Sequence, residues 1–395
     1  MSFDFFLRKI GQRLTNLYIF ATDDACSQFR PQLLHVTMCP SLPLFFICSY
    51  LFNIPVVVSV HTDSVTLLGK CNQPWWVVRL VKMMEPLGTW FADATYTVSP
   101  SYAGILVQRG IKCLDVTWGG YANPLVFNPE RRFEGDWRNT LTFGHPDEFV
   151  LAYAGRISPE KDIDFLVALV KKFRDEGHGV WLALIGDGPA ADEFRGLHGD
   201  LAHGVWFLPG FLPQKELAQV YASVDCVTSA STFETFGFTA LEAMQCGTPF
   251  LGPRAQGFRD VVAHNQGGYL FDARDLTSAF HYLELLLHEK DELFPREGVL
   301  AATSKFTARN CLKRTLQAYH IVCQRRASSR PDDKIFGHVH RFLRSCLRIL
   351  TAVVMLFFVS LNWFLLNVPV VAEKVVCQVR RARIICNRCA PSPPL

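Results

Sequence analysis

The chain has 395 residues, of which 49% are hydrophobic and 19% charged, so it can bury large cores and wholesale disorder is excluded. Its 26 Gly and 22 Pro follow no short period, which excludes a collagen-like or low-complexity chain. The formal net charge is +4, and the excess positive charge lies near the C-terminus on both sides of an apolar segment. This placement favours a membrane over a nucleic acid as a partner.

Short apolar strands alternate with amphipathic helices from Leu33 to about Phe271, which predicts an α/β fold with parallel sheets. Residues 1–130 form a first Rossmann-like lobe that holds few strands and looks incomplete. Its predicted strands are Leu33–Thr37, Pro55–His61, Ala94–Ser99 and Asp115–Trp118, with a buried helix at Leu42–Phe52. The polar residues 131–148 show no clear period and are predicted to be a linker.

Residues 149–326 are predicted to form a second Rossmann-like lobe with a full six-stranded sheet. The predicted strands are Phe149–Gly155, Trp181–Gly186, Val205–Leu208, Cys226–Ser229, Pro249–Leu251 and Gly268–Phe271. A helix is predicted after the first strand, where Ile163, Leu166, Val167 and Val170 recur at helical spacing.

The C-terminal part is predicted to be a membrane anchor. Residues 327–348 form a basic tether, residues 349–372 carry no charge, and residues 373–395 form a basic tail. Twenty-four helical residues at about 1.5 Å each cover the roughly 30 Å hydrocarbon core of a bilayer. The alternative is a buried or interfacial hairpin. The 13 cysteines have no regular spacing, which indicates a reducing compartment.

The loop after the first strand of the second lobe runs from Gly155 to Lys161 and predicts an anion site. Ser158 before Pro159 is typical of a helix start, with the hydroxyl as cap. A cation such as Lys161 opposes the helix dipole there unless an anion lies nearby. Arg156 and Lys161 could together bind a diphosphate. The alternative is that both are solvated surface cations.

Two further loops follow strands of the same sheet. Gly186-Asp187-Gly188-Pro189 is a turn motif. In Glu234–Glu242, the helix is predicted to begin near Gly237, so the amides of Phe236–Phe238 could bind phosphate. Glu242 would point toward the sheet edge, where two sugar hydroxyls could hydrogen-bond its carboxylate. The alternative is an exposed glutamate at the rim of the helix.

The runs GRISPEK and IGDGP, and two glutamates eight positions apart in ETFGFTALE, resemble the retaining GT-B glycosyltransferases of family 4 in order and spacing. Within that family the chain looks most like the plant and algal sulfoquinovosyltransferases. The runs VVVSVHTDS, FADATYTVSPS and LPGFLPQKELAQVYASVDCVTSAS extend this likeness, which covers roughly Arg30 to Leu287.

The resemblance implies roles for individual residues. The basic pair would bind the diphosphate, Glu242 the ribose hydroxyls and Glu234 the donor sugar, while Leu212 would line the nucleobase and His61 would face the acceptor. The implied catalytic residues are His61, Glu234, Arg156 and Lys161. The implied donor-binding residues are Gly155, Arg156, Lys161, Gly186, Leu212, Glu234, Phe236, Gly237, Phe238 and Glu242.

No metal or other cofactor is expected beyond the nucleotide sugar, which the resemblance implies is UDP-linked. Asp162-Ile163-Asp164 has the letters of a metal-binding DxD, but it lies at a helix start, where carboxylates complement the dipole. Two features depart from the family. No strand and Gly-rich loop are found between Met1 and Phe29, and Asn123 stands where relatives carry an acid before a phenylalanine.

The resemblance thus implies a retaining, metal-independent hexosyltransferase that moves sulfoquinovose from UDP-sulfoquinovose to diacylglycerol, and the apolar segment predicts one C-terminal span in a plastid membrane or another endomembrane. Its expected partners are a nucleotide sugar, a lipid and a membrane, and no nucleic acid. One alternative is a mannosyl- or glucosyltransferase acting on a glycan or lipid-linked acceptor. Another is a non-catalytic membrane protein that retains a donor-binding lobe.

Overall fold

The structure is a computed structural model. It describes residues 31–38, 42, 45–46, 49, 54–70, 73–112, 119–198 and 204–328. The chain divides into two compact units, one formed by Met1–Val56 with Ala327–Leu395 and the other by Val57–Arg326. The first unit contains strand β1 (Leu34–Thr37). Leu42 and Phe46 are buried there, as predicted for core positions.

Among the described residues no helix is both long enough and apolar enough to cross a bilayer, which contradicts the membrane location predicted from the sequence. The two described helices of 18 or more residues, Leu276–Leu293 and Ala308–Ser328, both carry several charged side chains, which are costly in hydrocarbon. The predicted span 349–372, its basic tail 373–395 and the predicted strand at 115–118 lie outside the described residues.

The N-terminal part of the second unit is a small parallel arrangement. Strand β2 is buried throughout and pairs in parallel with β3, with Val58 opposite Thr95. The elements are β2 (Val56–Val60), α1 (Ser64–Lys70), α2 (Trp75–Trp90), β3 (Ala94–Thr97) and α3 (Pro100–Gln108). Both observed strands are shorter than predicted, since β2 lacks Pro55 and His61 and β3 lacks Val98 and Ser99.

The predicted linker 131–148 contains ordered structure. A 3₁₀ turn at Pro129–Phe133 is followed by the six-residue helix α4 (Trp137–Thr142). Leu141 is buried, and the indole of Trp137 donates a hydrogen bond to Gln219 at 3.0 Å. A helix this short covers less than two turns, so its sequence shows no period.

The large sheet of the second unit confirms the six predicted strands and their parallel arrangement. They lie in the order β6-β5-β4-β7-β8-β9. The strands are β4 (Phe149–Ala154), β5 (Val180–Gly186), β6 (Val205–Pro209), β7 (Cys226–Thr228), β8 (Phe250–Pro253) and β9 (Gly268–Phe271). This is the Rossmann order, which reverses between β4 and β7, and ligands of such sheets bind beyond the carboxyl ends of the strands at that point.

Helices follow the strands of this sheet. Ile163, Leu166, Val167 and Val170 are all buried, as their helical spacing predicts. The helices are α5 (Ile163–Asp175), α6 (Ala191–His198), α7 (Gln214–Ser223), α8 (Phe238–Gln245), α9 (Phe258–Val261), α10 (Leu276–Leu293), α11 (Arg296–Ala301) and α12 (Ala308–Ser328).

The loops that leave β4 and β5 are in direct backbone contact. Ile157 N–H donates to the Asp187 carbonyl at 3.1 Å, and Gly155 N–H donates to the Ile185 carbonyl at 3.0 Å. A Cβ at Gly186, whose φ is +144°, would lie 1.9 Å from the Gly155 oxygen, and one at Gly188 would lie 2.1 Å from the Ile157 oxygen. Both positions therefore require glycine. The turn predicted at Gly186–Pro189 thus supports the loop Gly155–Lys161, called the first loop below.

Gly186→Ala should lower the free energy of unfolding by more than about 3 kcal/mol, because the new methyl group meets backbone that cannot move away without breaking the sheet end. Denaturant unfolding measures this loss. Gly196→Ala is the matched control, since a Cβ at this exposed helical position meets nothing within 4 Å. It should stabilise the chain by about 0.5–1 kcal/mol, and equal effects of the two substitutions would contradict the assignment.

Candidate functional site

The first loop differs from its prediction in one respect. Pro159–Lys161 form a 3₁₀ turn, Ser158 makes no side-chain cap hydrogen bond, and α5 begins only at Ile163. The predicted helix start at Ser158 is therefore wrong. The reason is Asp162, whose left-handed φ of +57° ends the turn before the helix begins.

Both cations of this loop are paired with acids. Arg156 forms an ion pair with Glu160, whose side chain is 4% exposed, whereas Arg156 itself is 51% exposed. Lys161 Nζ lies 3.7 Å from Glu234 Oε2, and both of these side chains are mostly buried. The fold thus brings the first loop and the Glu234 loop together, as their places after β4 and β7 require.

The loop that carries Glu234 is fixed by its own backbone. Glu234 N–H donates to Gln256 Oε1 at 3.0 Å, and the Glu234 carbonyl accepts from Gly257 N–H at 2.7 Å. Glu234 Oε1 accepts from Gly237 N–H at 3.3 Å. One of the amides predicted to bind phosphate at the start of α8 is therefore already used by Glu234.

Phe236 and Phe238 flank the start of α8. Their rings lie 4.8 Å apart; Phe236 is buried and Phe238 is about half exposed. Gly237 between them has a φ of +102°. A Cβ at Gly120 would lie 2.5 Å from the ring of Phe238, so the segment containing Gly120 packs directly on this loop.

His61, at the end of β2, lies beside the same loop. The Thr235 hydroxyl donates to the His61 carbonyl at 2.8 Å, and His61 Nε2 lies 3.0 Å from Ser59 Oγ. Burial lowers the pKa of His61, so its imidazole is neutral at neutral pH. His61 is therefore adjacent to the residue that follows Glu234.

Glu242 lies inside α8 in apolar surroundings. Burial raises the pKa of its carboxyl to about 7, and no group in the described part of the chain donates a hydrogen bond to that carboxyl. Glu242 in turn contributes to the raised pKa of Tyr221 and Cys246, for each of which burial is the larger cause. A half-buried acid whose pKa is raised to near neutral is characteristic of binding and catalytic sites.

Tyr153 is a residue of this region that the sequence reasoning missed. Its hydroxyl donates to the Arg156 carbonyl at 2.8 Å, and a Cβ at Gly155 would lie 3.0 Å from that hydroxyl. Burial raises the pKa of Tyr153, and Glu160 and Glu234 raise it further. In sequence it stands in an apolar run and looks like any core residue, so no local signal distinguishes it.

Two further predicted donor-binding residues lie at the carboxyl ends of β5 and β6. Leu212 is half-buried in the loop after β6, which lies two strands from β4. Gly186 supports the first loop through its backbone. Asp162, part of the DxD-like run, pairs with Arg274 at 3.5 Å. Within the described ranges, no group of three His, Cys, Asp or Glu side chains is placed to hold a metal ion.

A cavity of about 730 Å³ lies elsewhere in the unit, at the amino ends of the strands. His178, Asp225, His288 and Lys290 are among its lining residues. Because ligands of such sheets bind at the carboxyl ends, and because Lys161 and Glu234 meet there, we take the latter edge as the functional site.

Comparison with known proteins shows which proteins the unit that contains this edge resembles. Residues 139–296 match the family model described as Glycosyl transferases group 1. Sucrose-phosphate synthase from Thermosynechococcus elongatus superimposes with a TM-score of 0.58 at 18% identity, covering 83% of this chain and 78% of that one. HepE from Anabaena, solved with UDP and glucose, gives 0.58 at 19% identity, covering 78% and 83%. Residues 139–296 are therefore similar to group 1 glycosyltransferases, and the α/β fold is GT-B.

Two curated relatives differ in what their names say they act on. The chain is 27% identical over 272 residues to the sulfoquinovosyl transferase SQD2 of Arabidopsis thaliana, covering 67% of this chain and 51% of the relative. It is 34% identical over 258 residues to a D-inositol 3-phosphate glycosyltransferase of Stackebrandtia nassauensis, covering 60% and 56%. The chain thus spans about half the length of these two relatives.

Glu242→Gln should stabilise the protein only where Glu242 ionises. The folded pKa of about 7 exceeds the ordinary value of 4.5, so the unfolded chain ionises first as the pH rises between these values and the wild type loses stability. We expect the free energy of unfolding of Glu242→Gln to exceed that of the wild type by about 1–3 kcal/mol at about pH 8, and to equal it at about pH 4. Urea unfolding at several pH values measures this difference. The exposed Glu284→Gln is the control, and a pH-independent gain for Glu242→Gln would contradict burial of an ionisable carboxyl.

Proposed function

We propose that this protein is a glycosyltransferase that transfers a sugar from a UDP-sugar with retention at the anomeric carbon and without a metal ion. The contact between Lys161 and Glu234, at the point where the strand order reverses, is the observation that carries the proposal. It joins a cation suited to a diphosphate to an acid suited to a sugar, within a group 1 glycosyltransferase domain.

The two cations of the first loop would bind the diphosphate of the donor. Negative charge grows on this group as the bond to the sugar breaks, so cations beside it stabilise the transition state more than the ground state. The pairing of Arg156 with Glu160 and of Lys161 with Glu234 holds both cations in place beforehand. A diphosphate bears more negative charge than either carboxylate and would compete for the same N–H groups.

Glu242 would accept hydrogen bonds from the ribose hydroxyls of the nucleotide. Its carboxyl is half-buried and has no donor among the described residues, so two hydroxyl donors would stabilise its ionised form. Donor binding would then release a proton from Glu242 at about pH 7. Glu234 contacts Lys161, and the next residue, Thr235, contacts His61. Glu234 would therefore lie between the diphosphate and the acceptor and face the transferred sugar.

His61 would lie on the acceptor side. Its lowered pKa keeps the ring neutral, so one ring nitrogen can accept a hydrogen bond from an acceptor hydroxyl. The fixed contact between the His61 carbonyl and Thr235 would keep this ring beside the loop of Glu234.

For the substrates, we propose sulfoquinovose as the sugar and diacylglycerol as the acceptor, supported by the similarity to SQD2. The second candidate is transfer to D-inositol 3-phosphate, supported by the higher identity to the Stackebrandtia relative over a similar length. Mannose and glucose are the further donor sugars that the test must cover.

The test offers purified full-length protein UDP-sulfoquinovose, UDP-glucose or GDP-mannose, each with diacylglycerol in detergent micelles or with D-inositol 3-phosphate. Mass spectrometry identifies the product, and NMR of its anomeric proton decides retention. Activity that persists in EDTA supports metal-independent transfer. Binding of UDP-sugars without any product would favour the non-catalytic alternative and contradict the proposed activity.

Lys161→Ala should lower kcat at least about 100-fold while changing the dissociation constant for UDP less than about ten-fold, because its partner charge grows toward the transition state. Steady-state kinetics and calorimetry with UDP measure the two effects. Lys171→Ala removes an exposed lysine of α5 and should leave both unchanged. An equal loss in kcat and UDP affinity for Lys161→Ala would contradict a role specific to the transition state.

A further inference from the structure

Lys70 is a cation of this site that neither the sequence motifs nor the roles above use. It is the last residue of α1, and α1 packs against the 3₁₀ turn that carries Lys161. Its ammonium donates to the hydroxyl of Thr232 at 3.1 Å and lies 5.8 Å from the ring centre of Phe233. Both contacts are with the residues immediately before Glu234.

Three cations near this site have carboxylate partners, whereas Lys70 has none among the described residues. Arg156 pairs with Glu160, Lys161 with Glu234, and Arg274 with Asp162. Among the described residues, no carboxylate lies within ion-pair distance of Lys70. Its only hydrogen-bond partner there is a neutral hydroxyl, although an ammonium has three N–H donors.

The surroundings of Lys70 disfavour the charged form of its half-buried ammonium. Burial is the main cause of a lowered pKa for Lys70, and the positive charge of Arg274 lowers it further, while Asp162 and Glu160 act in the opposite direction. A half-buried charge without an opposite partner costs free energy, and an anion supplied from outside would remove that cost.

A purely structural role at the helix end does not explain why the Lys70 side chain contacts Thr232. A lysine in the last turn of a helix complements the helix dipole, but it can do so while pointing into solvent. Lys70 instead reaches a residue 162 positions away in sequence, in the loop that carries Glu234. This loop also contacts His61 through Thr235, so Lys70 lies beside the place proposed for the sugar and the acceptor.

We propose that Lys70 binds an oxyanion of the substrates other than the diphosphate, such as a sulfonate on the transferred sugar or a phosphate on the acceptor. This inference rests on the proposed function and narrows its substrate class to a reaction in which one partner carries an additional acidic group. The two free N–H donors of the ammonium, together with the Thr232 hydroxyl, would contact that group.

The experiment compares Lys70→Met with the wild type by calorimetry for UDP, UDP-glucose, UDP-sulfoquinovose and, with UDP present, D-inositol 3-phosphate. We expect Lys70→Met to weaken binding of whichever acidic substrate the wild type binds by at least about ten-fold, with UDP and UDP-glucose changed less than about two-fold. Lys70→Arg keeps the charge and should restore most of the affinity. Lys171→Met is the matched control, and thermal unfolding tests that each variant is folded.

The outcomes separate this inference from the proposed function. A wild type that binds no UDP would overturn both. Normal UDP binding with Lys70→Met indistinguishable from the wild type for both acidic substrates would overturn only the role of Lys70. An equal loss for UDP and UDP-glucose would also overturn it, since it would place Lys70 at the diphosphate. A wild type that binds UDP-glucose as tightly as UDP-sulfoquinovose and binds no inositol phosphate would contradict the acidic substrate class.

Discussion

Between β4 and β7 the order of strands reverses, so the loops that follow these two strands leave the sheet side by side. The first loop can lie there only because backbone from the β5 loop supports it at contact distance, at Gly186 and Gly188. This support fixes the backbone conformation of the residues after β4. The meeting of Lys161 with Glu234, which comes from the loop after β7, depends on that conformation.

The electrostatics of the site follow from the same arrangement. Acids pair with both cations of the first loop, which restricts the conformations of these side chains before any ligand is present. Glu242 behaves differently, because it is half-buried with no hydrogen-bond donor among the described residues, and burial raises its pKa to about 7. In the proposed function, the charge state of Glu242 would therefore change when the donor binds.

The loop after β7 is held from two directions. On one side Gln256 and Gly257 bind the backbone of Glu234. On the other, the Ser99 hydroxyl donates to the Thr235 carbonyl at 2.7 Å, and the Thr235 hydroxyl donates to the His61 carbonyl. Residues of both sheets of this unit thus fix the same short segment. A loop constrained in this way can position a side chain more precisely than a free surface loop.

By itself the sequence determined the elements whose signals are local. Apolar runs predicted the six parallel strands, and helical spacing predicted the buried face of α5. Short motifs after the strands indicated four candidate site residues, which are Arg156, Lys161, Glu234 and Glu242. It could not place Tyr153 or Lys70, which look like a core residue and a helix-end lysine until distant segments meet. Only the tertiary structure decided that Lys161 pairs with Glu234, that Asp162 delays the start of α5 and that Glu242 titrates near neutral pH. The physical reason is that pairing and burial depend on neighbours brought together by the sheet, whereas periodicity and turn chemistry depend on residues adjacent in the chain.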